Sequence, residues 1–177
     1  MIQQARAFNP NISFRVGRAQ DLDVPGRRDV ISMLFHVINY QTTDDMVREA
    51  MEAVARHLSD AGVFVFDFWH TDAVLREPPV SRVRRTEVGG RPLFRISHPS
   101  ENRSLHRVEV RFEFRWDSMS GELANEETHS LRHFGGPELE GFLEKAGMRA
   151  LLCEGWMSHR PLAATDWHGL ICASHRQ

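Results

Sequence analysis

The sequence predicts an α/β fold in which a parallel sheet carries an additional antiparallel sheet. Three observations predict it. Two short apolar runs, DVISMLF at 29–35 and VFVFDFW at 63–69, bracket an amphipathic segment at 44–59. Neither run alternates, and unbroken apolar runs of that length suit strands covered on both faces of a parallel sheet. A right-handed crossover helix is the expected link between such neighbours. The third observation lies further on, where Arg107, Glu109, Arg111, Glu113 and Arg115 alternate with Val108, Val110, Phe112, Phe114 and Trp116. That period of two marks a strand with one wet face, and hence an antiparallel sheet.

Each element has its own signal. Residues 1–9 read as a helix end, broken at Pro10, and NISFRV at 11–16 reads as a short strand closed by Gly17. Pro25-Gly26 marks a turn before the first apolar run. Thr42 or Thr43 caps the next helix, and Asp44 and Asp45 suit its positive end. Met46, Val47, Ala50, Met51, Val54, Ala55 and Leu58 give that helix one apolar face. Gly62 reads as a left-handed cap before the second run. Residues 82–88 and 93–98 flank the Gly89-Gly90 hairpin signal. With 107–116 and 122–134 they make an inserted sheet over 82–134 within a single domain, 1–177. Pro137 opens a short helix that Gly147 ends, and 148–157 with 169–174 form a closing antiparallel pair.

Composition bounds the function. A chain of 177 residues is long enough to bury a core without disulfides or metal. Its formal net charge of −2 offers no basic field for nucleic acid. No apolar run approaches the roughly 18 residues that suggest a membrane span, and the first ten residues hold no apolar signal core. Cys153 and Cys172 make no disulfide framework, so a cytoplasmic setting is expected. His129 and His133 lie four apart in a segment that reads as strand, without a carboxylate or cysteine partner, so no metal is expected.

The order of elements resembles the second half of a class I, S-adenosylmethionine-dependent methyltransferase. The segment FRVGRAQDL at 14–22 is similar to that family's third strand and adenine loop, and DVISMLFHVINY at 29–40 to its fourth strand and following turn. HLSDAGVFVFDF at 57–68 resembles the helix end and fifth strand, and ELEGFLEKAGM at 138–148 the helix before the last hairpin. The inserted sheet, with THSLRHF at 128–134, is similar to the group that methylates amines on small metabolites, amino sugars among them. The resemblance thus implies a partial Rossmann-like methyltransferase sheet, S-adenosylmethionine as cofactor, and a small-molecule methyl acceptor. Two features depart from the family pattern. No G-x-G glycine loop occurs in the chain, which opens at what would be the helix after the second strand, so weak cofactor binding is expected. Arg18 stands where the family usually has aspartate, and a guanidinium accepts no hydrogen bond.

The resemblance also places the candidate residues. Ala19 and Gln20 would touch the adenine, and Met33 and Leu34 would offer strand-end carbonyls to the cofactor's ammonium group. His36, directly after the first apolar run, is the candidate base, since imidazole titrates near working pH. Tyr40 either lines the pocket or caps the turn. Asp67, Trp69 and His70 end the second run, where a carboxylate and aromatics bind a cationic or amine acceptor or Asp67 caps a turn. Arg82, Arg84 and Arg85 either meet a phosphate or form a solvated strand edge.

One expectation concerns shape. Without the first two family strands, the edge of the 29–35 strand stands open, and open apolar edges invite pairing. The chain is therefore expected either to form a homodimer through that edge or to move residues 11–16 in to cover it. A methyltransferase of small-molecule amines, impaired as this chain, is the leading function. The alternative is a non-catalytic remnant that serves as a dimerisation module.

Overall fold

The computed structural model describes residues 2–176 and contains two four-stranded sheets. The chain opens with α1 (Ile2–Phe8) and runs without further regular structure to β1 (Arg28–Met33). A 3₁₀ turn at Val37–Tyr40 leads into α2 (Asp44–His57), and β2 (Leu58–Trp69) follows without a break. Thr43 caps α2, its side chain accepting from the Met46 N–H at 3.2 Å. β2 runs parallel to β1, with Ile31 opposite Phe64 and Met33 opposite Phe66. The two apolar runs therefore lie side by side and point the same way, as the sequence predicts.

After α3 (Thr71–Arg76), the chain builds the second sheet from β3 (Arg82–Val88), β4 (Arg91–Asn102), β5 (Arg107–Trp116) and β6 (Leu123–Arg132). These strands are antiparallel throughout and pair in chain order. Gly89 and Gly90 both take positive φ in the β3–β4 turn, the conformation a two-residue hairpin demands. The chain then returns through α4 (Gly136–Lys145) to β7 (Met148–Gly155) and β8 (His168–His175), completing the first sheet in the order β1-β2-β8-β7. In α4 the Gly135 N–H donates to Glu138 Oε2 at 3.2 Å, satisfying one open amide of the first turn.

One core sits on one face of the first sheet. Phe64, Phe66 and Phe68 of β2 point into it and meet Val47, Met51 and Val54 of α2 and Leu139 and Leu143 of α4. The opposite face is barer than the unbroken apolar runs predict. Val63 and Val65 are half-buried, and Val30 is 67% exposed. Both long helices lie against the same face, so nothing equivalent covers the other. A second, smaller core of Val74, Val108, Val110 and Leu131 lies under the second sheet, with Trp69 and Trp167 against it.

Three expectations need correction. Residues 11–16 form no strand and do not cover β1, whose only partner among the described residues is β2. The segment starts in a turn, with the Ile12 N–H bonded to the Asn9 carbonyl at 3.1 Å, and residues 13–16 have no strand beside them to pair with. Arg6 of α1 ties to it by donating to the Phe14 carbonyl at 2.8 Å. Gly62 lies inside β2 and has no positive φ. A glycine is needed there because a Cβ would come within 2.9 Å of the Arg28 carbonyl oxygen. Covering both faces of the apolar runs is the third, answered above.

Candidate functional site

The carboxyl end of β2, the start of β8 and residues of β3, β4 and β5 meet around one groove, and the end of β1 borders a second hollow. In open α/β sheets ligands sit at that end of the strands. Two hollows lie there. A cleft of about 480 Å³ is bounded by the loop at 15–24 and the end of β1. Ala19, Ile31, Met33, Leu34 and Val37 line it, together with Asp21 and Asp23. A groove of about 430 Å³ lies between the two sheets, walled by Trp69, Trp167, Phe112, Arg82, Arg95 and His168.

His36 lies in the chain between Leu34 and Val37 of the cleft wall. Phe35 and His36 both take left-handed backbone, with φ of 62° at each. Two consecutive non-glycine residues in that region turn the chain sharply off β1, at a conformational cost. The turn brings the His36 ring over the end of β2. Asp67 Oδ1 accepts from the His36 backbone N–H at 3.0 Å, and Asp67 Oδ2 lies 2.6 Å from His36 Nδ1. That second approach is off the N–H axis, leaving Nδ1 without a straight hydrogen bond. Asp67 is only 3% exposed. Burial works against its charge, but the hydrogen bonds and charge of His36 more than offset this, and its carboxyl sits below the usual range.

On its other side, His36 stacks on His168, ring centroids 4.7 Å apart and 12° from parallel. Trp69 lies 6.0 Å from His36, and Trp167 packs edge-on to Trp69 at 5.7 Å. Burial, and then the charge of His36, lowers the His168 pKa, with Asp67 opposing. The sequence gives no separate signal for His168. Its place follows from the pairing of Trp69 with His168 across β2 and β8, a register that only the folded sheet reveals.

Other predicted residues sit apart from the hollows or behind them. Gln20 is buried and donates to the Gln41 side chain, backing the loop rather than lining the cleft. Tyr40 hydrogen-bonds His129 Nδ1 at 2.8 Å through its hydroxyl. His70 is buried, edge-on to Phe68, its Nδ1 without a partner. His133 is buried against Thr71, whose hydroxyl lies 3.0 Å from Nδ1. Asn39, also buried, ties the region together. It donates to the Arg132 carbonyl at 2.5 Å and accepts the Trp69 N–H at 3.3 Å, joining the turn after His36 to β2 and β6. Arg95 lies over the Phe112 ring at 5.1 Å.

No family model matches the chain. It is 25% identical over 162 residues to a dTDP-3-amino-3,6-dideoxy-α-D-glucopyranose N,N-dimethyltransferase of Streptomyces fradiae, covering 92% of this chain and 63% of that protein. It is 29% identical over 154 residues to a dTDP-4-amino-2,3,4,6-tetradeoxy-D-glucose N,N-dimethyltransferase of Saccharopolyspora spinosa, covering 86% of this chain and 60% of that protein. The chain thus spans about three fifths of the length of these curated relatives. Among solved structures, the sugar N-methyltransferase KedS8 from a Streptoalloteichus species superposes with a TM-score of 0.80 at 19% identity, over 99% of this chain and 67% of that one. The chain carries the Rossmann-like fold of the class I S-adenosylmethionine-dependent methyltransferases.

Proposed function

We propose that this chain serves an S-adenosylmethionine-dependent methyltransferase acting on a small-molecule amine, with a nucleotide-linked amino sugar as acceptor. One observation carries the reading: His36 lies between Leu34 and Val37, which line the strand-end cleft, and its ring stacks on His168, which lines the aromatic groove. The two curated relatives, both named for methylating dTDP-linked amino sugars, support the same acceptor class.

The cleft has the volume of a small-ligand site. Its apolar wall at Ile31, Met33 and Val37 suits the flat face of an adenosine, so the residues present fit that part of the cofactor. Ala19, Met33 and Leu34 would hold it, with Gln20 bracing the loop from behind. S-adenosylmethionine, when bound, supplies a methyl group on a sulfonium sulfur. In the transfer a nitrogen–carbon bond forms as the sulfur–carbon bond breaks, and the amine must first be neutral. The chain's own contribution is alignment and proton removal. His36 is the candidate base, and Asp67 behind it favours the tautomer that leaves Nε2 open. Trp69 walls the acceptor side, while Tyr40 and His70 support the region from outside the groove. Arg82 and Arg95, which have no carboxylate partner among the described residues, suit the phosphates of a nucleotide handle. The same reading sets the reaction in the cytoplasm. No helix among the described residues is long and apolar enough to cross a membrane.

The test is direct. Added S-adenosylmethionine should move amide signals at Ala19, Met33 and Leu34, at an affinity of about 1 mM or weaker, because these 177 residues supply no glycine-rich loop. Shifts confined elsewhere in the molecule, or none at all, would overturn the reading.

A second reading is favoured by the open β1 edge. In it the chain is a methyltransferase-like module that pairs with a second copy along β1. Val30→Lys places a charge on that edge and should abolish concentration-dependent association in sedimentation velocity. A chain that stays monomeric at high concentration sinks this reading.

A further inference from the structure

The strand-end cleft has an apolar wall and a charged rim. Ile31, Met33, Leu34 and Val37 form the wall. The rim is a tight turn at 18–21, closed by the Asp21 N–H on the Arg18 carbonyl at 3.1 Å. Inside that turn, Ala19 packs against the main core and Gln20 is buried on Gln41. Both central residues are thus anchored, and the two that flank them, Arg18 and Asp21, line the cleft. Arg18 Nε lies 3.5 Å from Asp21 Oδ2, with the side chains 66% and 65% exposed. An ion pair so open to water adds little to stability. The terminal guanidinium nitrogens of Arg18 and Oδ1 of Asp21 have no protein partner among the described residues.

We infer that Arg18 and Asp21 together read the edge of the cofactor's adenine: Asp21 accepts from the 6-amino group, and Arg18 donates to the neighbouring ring nitrogen, N1. This rests on the methyl-transfer reading above and names the residues of the cleft that select the base. On the pairing edge of adenine a donor stands beside an acceptor. The ion pair offers the complement, an acceptor beside donors. Neither residue serves alone. A guanidinium accepts no hydrogen bond, so the amino group needs Asp21, and a carboxylate donates none, so N1 needs Arg18. The pair therefore acts as one reading unit, with each side chain matched to one atom of the base.

The other charged residues of the cleft do not offer this combination. Four line it, Arg15, Arg18, Asp21 and Asp23, and only Arg18 and Asp21 pair side chain to side chain among the described residues. Arg15 gives a guanidinium nitrogen to the Asp23 backbone carbonyl at 3.0 Å, which leaves the Asp23 carboxylate without a cation beside it. The anchored turn matters as well. Its backbone is tied through Ala19 and Gln20 before any ligand arrives, so a base that meets the pair orders two side chains and not the loop.

The experiment titrates the chain with three nucleosides and follows the amide signals of Ala19, Met33 and Leu34. Adenosine carries both edge groups, purine riboside lacks the 6-amino group, and 1-deazaadenosine lacks N1. Each loss should weaken binding about fivefold, the worth of one modest hydrogen bond. Asp21→Ala should erase the preference for adenosine over purine riboside, and Arg18→Met the preference over 1-deazaadenosine. Asp23→Ala should leave both preferences intact. Arg18 and Asp21 are exposed, and unchanged amide signals outside the loop show that the variants fold. Equal affinity of the native chain for all three nucleosides overturns the proposal. So does a preference that survives Asp21→Ala and Arg18→Met, or one that disappears with Asp23→Ala. In each of those cases the cofactor reading stands as long as the shifts fall at Ala19, Met33 and Leu34. Shifts confined elsewhere with every nucleoside, or none at all, overturn both.

Discussion

At the scale of single residues, Asp67 and Phe35 act in opposite directions. Asp67 is buried beneath His36 and takes both a backbone and a side-chain approach from it. Asp67→Ala should cost about 2 kcal/mol, read as a lower denaturant midpoint, because a buried charge-assisted contact is lost. The folded Asp67 carboxyl is held below its unfolded range. Its contribution is therefore present above the ordinary carboxylate value and is lost as pH falls through the lower, folded one. Phe35 is held in the left-handed region yet is 89% exposed, so its side chain gains little from the fold. Phe35→Gly should therefore stabilise the protein by about 1 kcal/mol in equilibrium unfolding, by relieving that strain. His36 was legible in the sequence as the first polar side chain after an apolar run. Asp67 was legible as a strand-end carboxylate but not as the partner of His36, because their contact depends on the left-handed turn. Asn39 and His168 gain their roles only from residues distant in the chain.

At the scale of elements, the patterns that repeat along the chain were the legible ones. The helical spacing of α2, the Gly89-Gly90 hairpin and the alternation in β5 each report a local period, and each element formed where its period lay. The segment at 11–16 had the composition of a strand but no partner to bond, and partners are not written locally. Gly62 shows the same limit, since the Arg28 carbonyl that demands a glycine there is more than thirty positions away. The turn at Val37–Tyr40 depends on Asn39, which joins β2 to β6 through two hydrogen bonds. Asn39→Ala should cost about 2 kcal/mol, and hydrogen exchange should speed at the Trp69 amide first. Gly169 faces the Phe68 ring so closely that a Cβ would clash with it, and Phe68 is fully buried. Gly169→Ala should therefore destabilise the protein by about 2 kcal/mol in thermal unfolding.

At the scale of the whole molecule, the two sheets are joined through buried polar groups as well as apolar ones. His133 follows β6, stacks on His106 at 5.1 Å and meets Thr71 of α3. Burial, and then the charge of His106, pushes its pKa down to about 4. An unfolded histidine takes a proton near pH 6.5, so between those values the unfolded chain binds the proton and the folded one does not. Stability is thus intact above about pH 6.5 and falls toward pH 4. Melting temperature should drop across that window in the native chain and drop less in His133→Gln.

The Trp69–Trp167 pair has a practical consequence. Two of the chain's four indoles form one wall of the groove, each close to an imidazole, with His36 6.0 Å from Trp69 and His168 6.3 Å from Trp167. Protonated imidazoles and stacked nucleobases both quench indole emission. Intrinsic fluorescence is therefore a built-in gauge of whether the groove is empty, charged or filled, without a dye or a label.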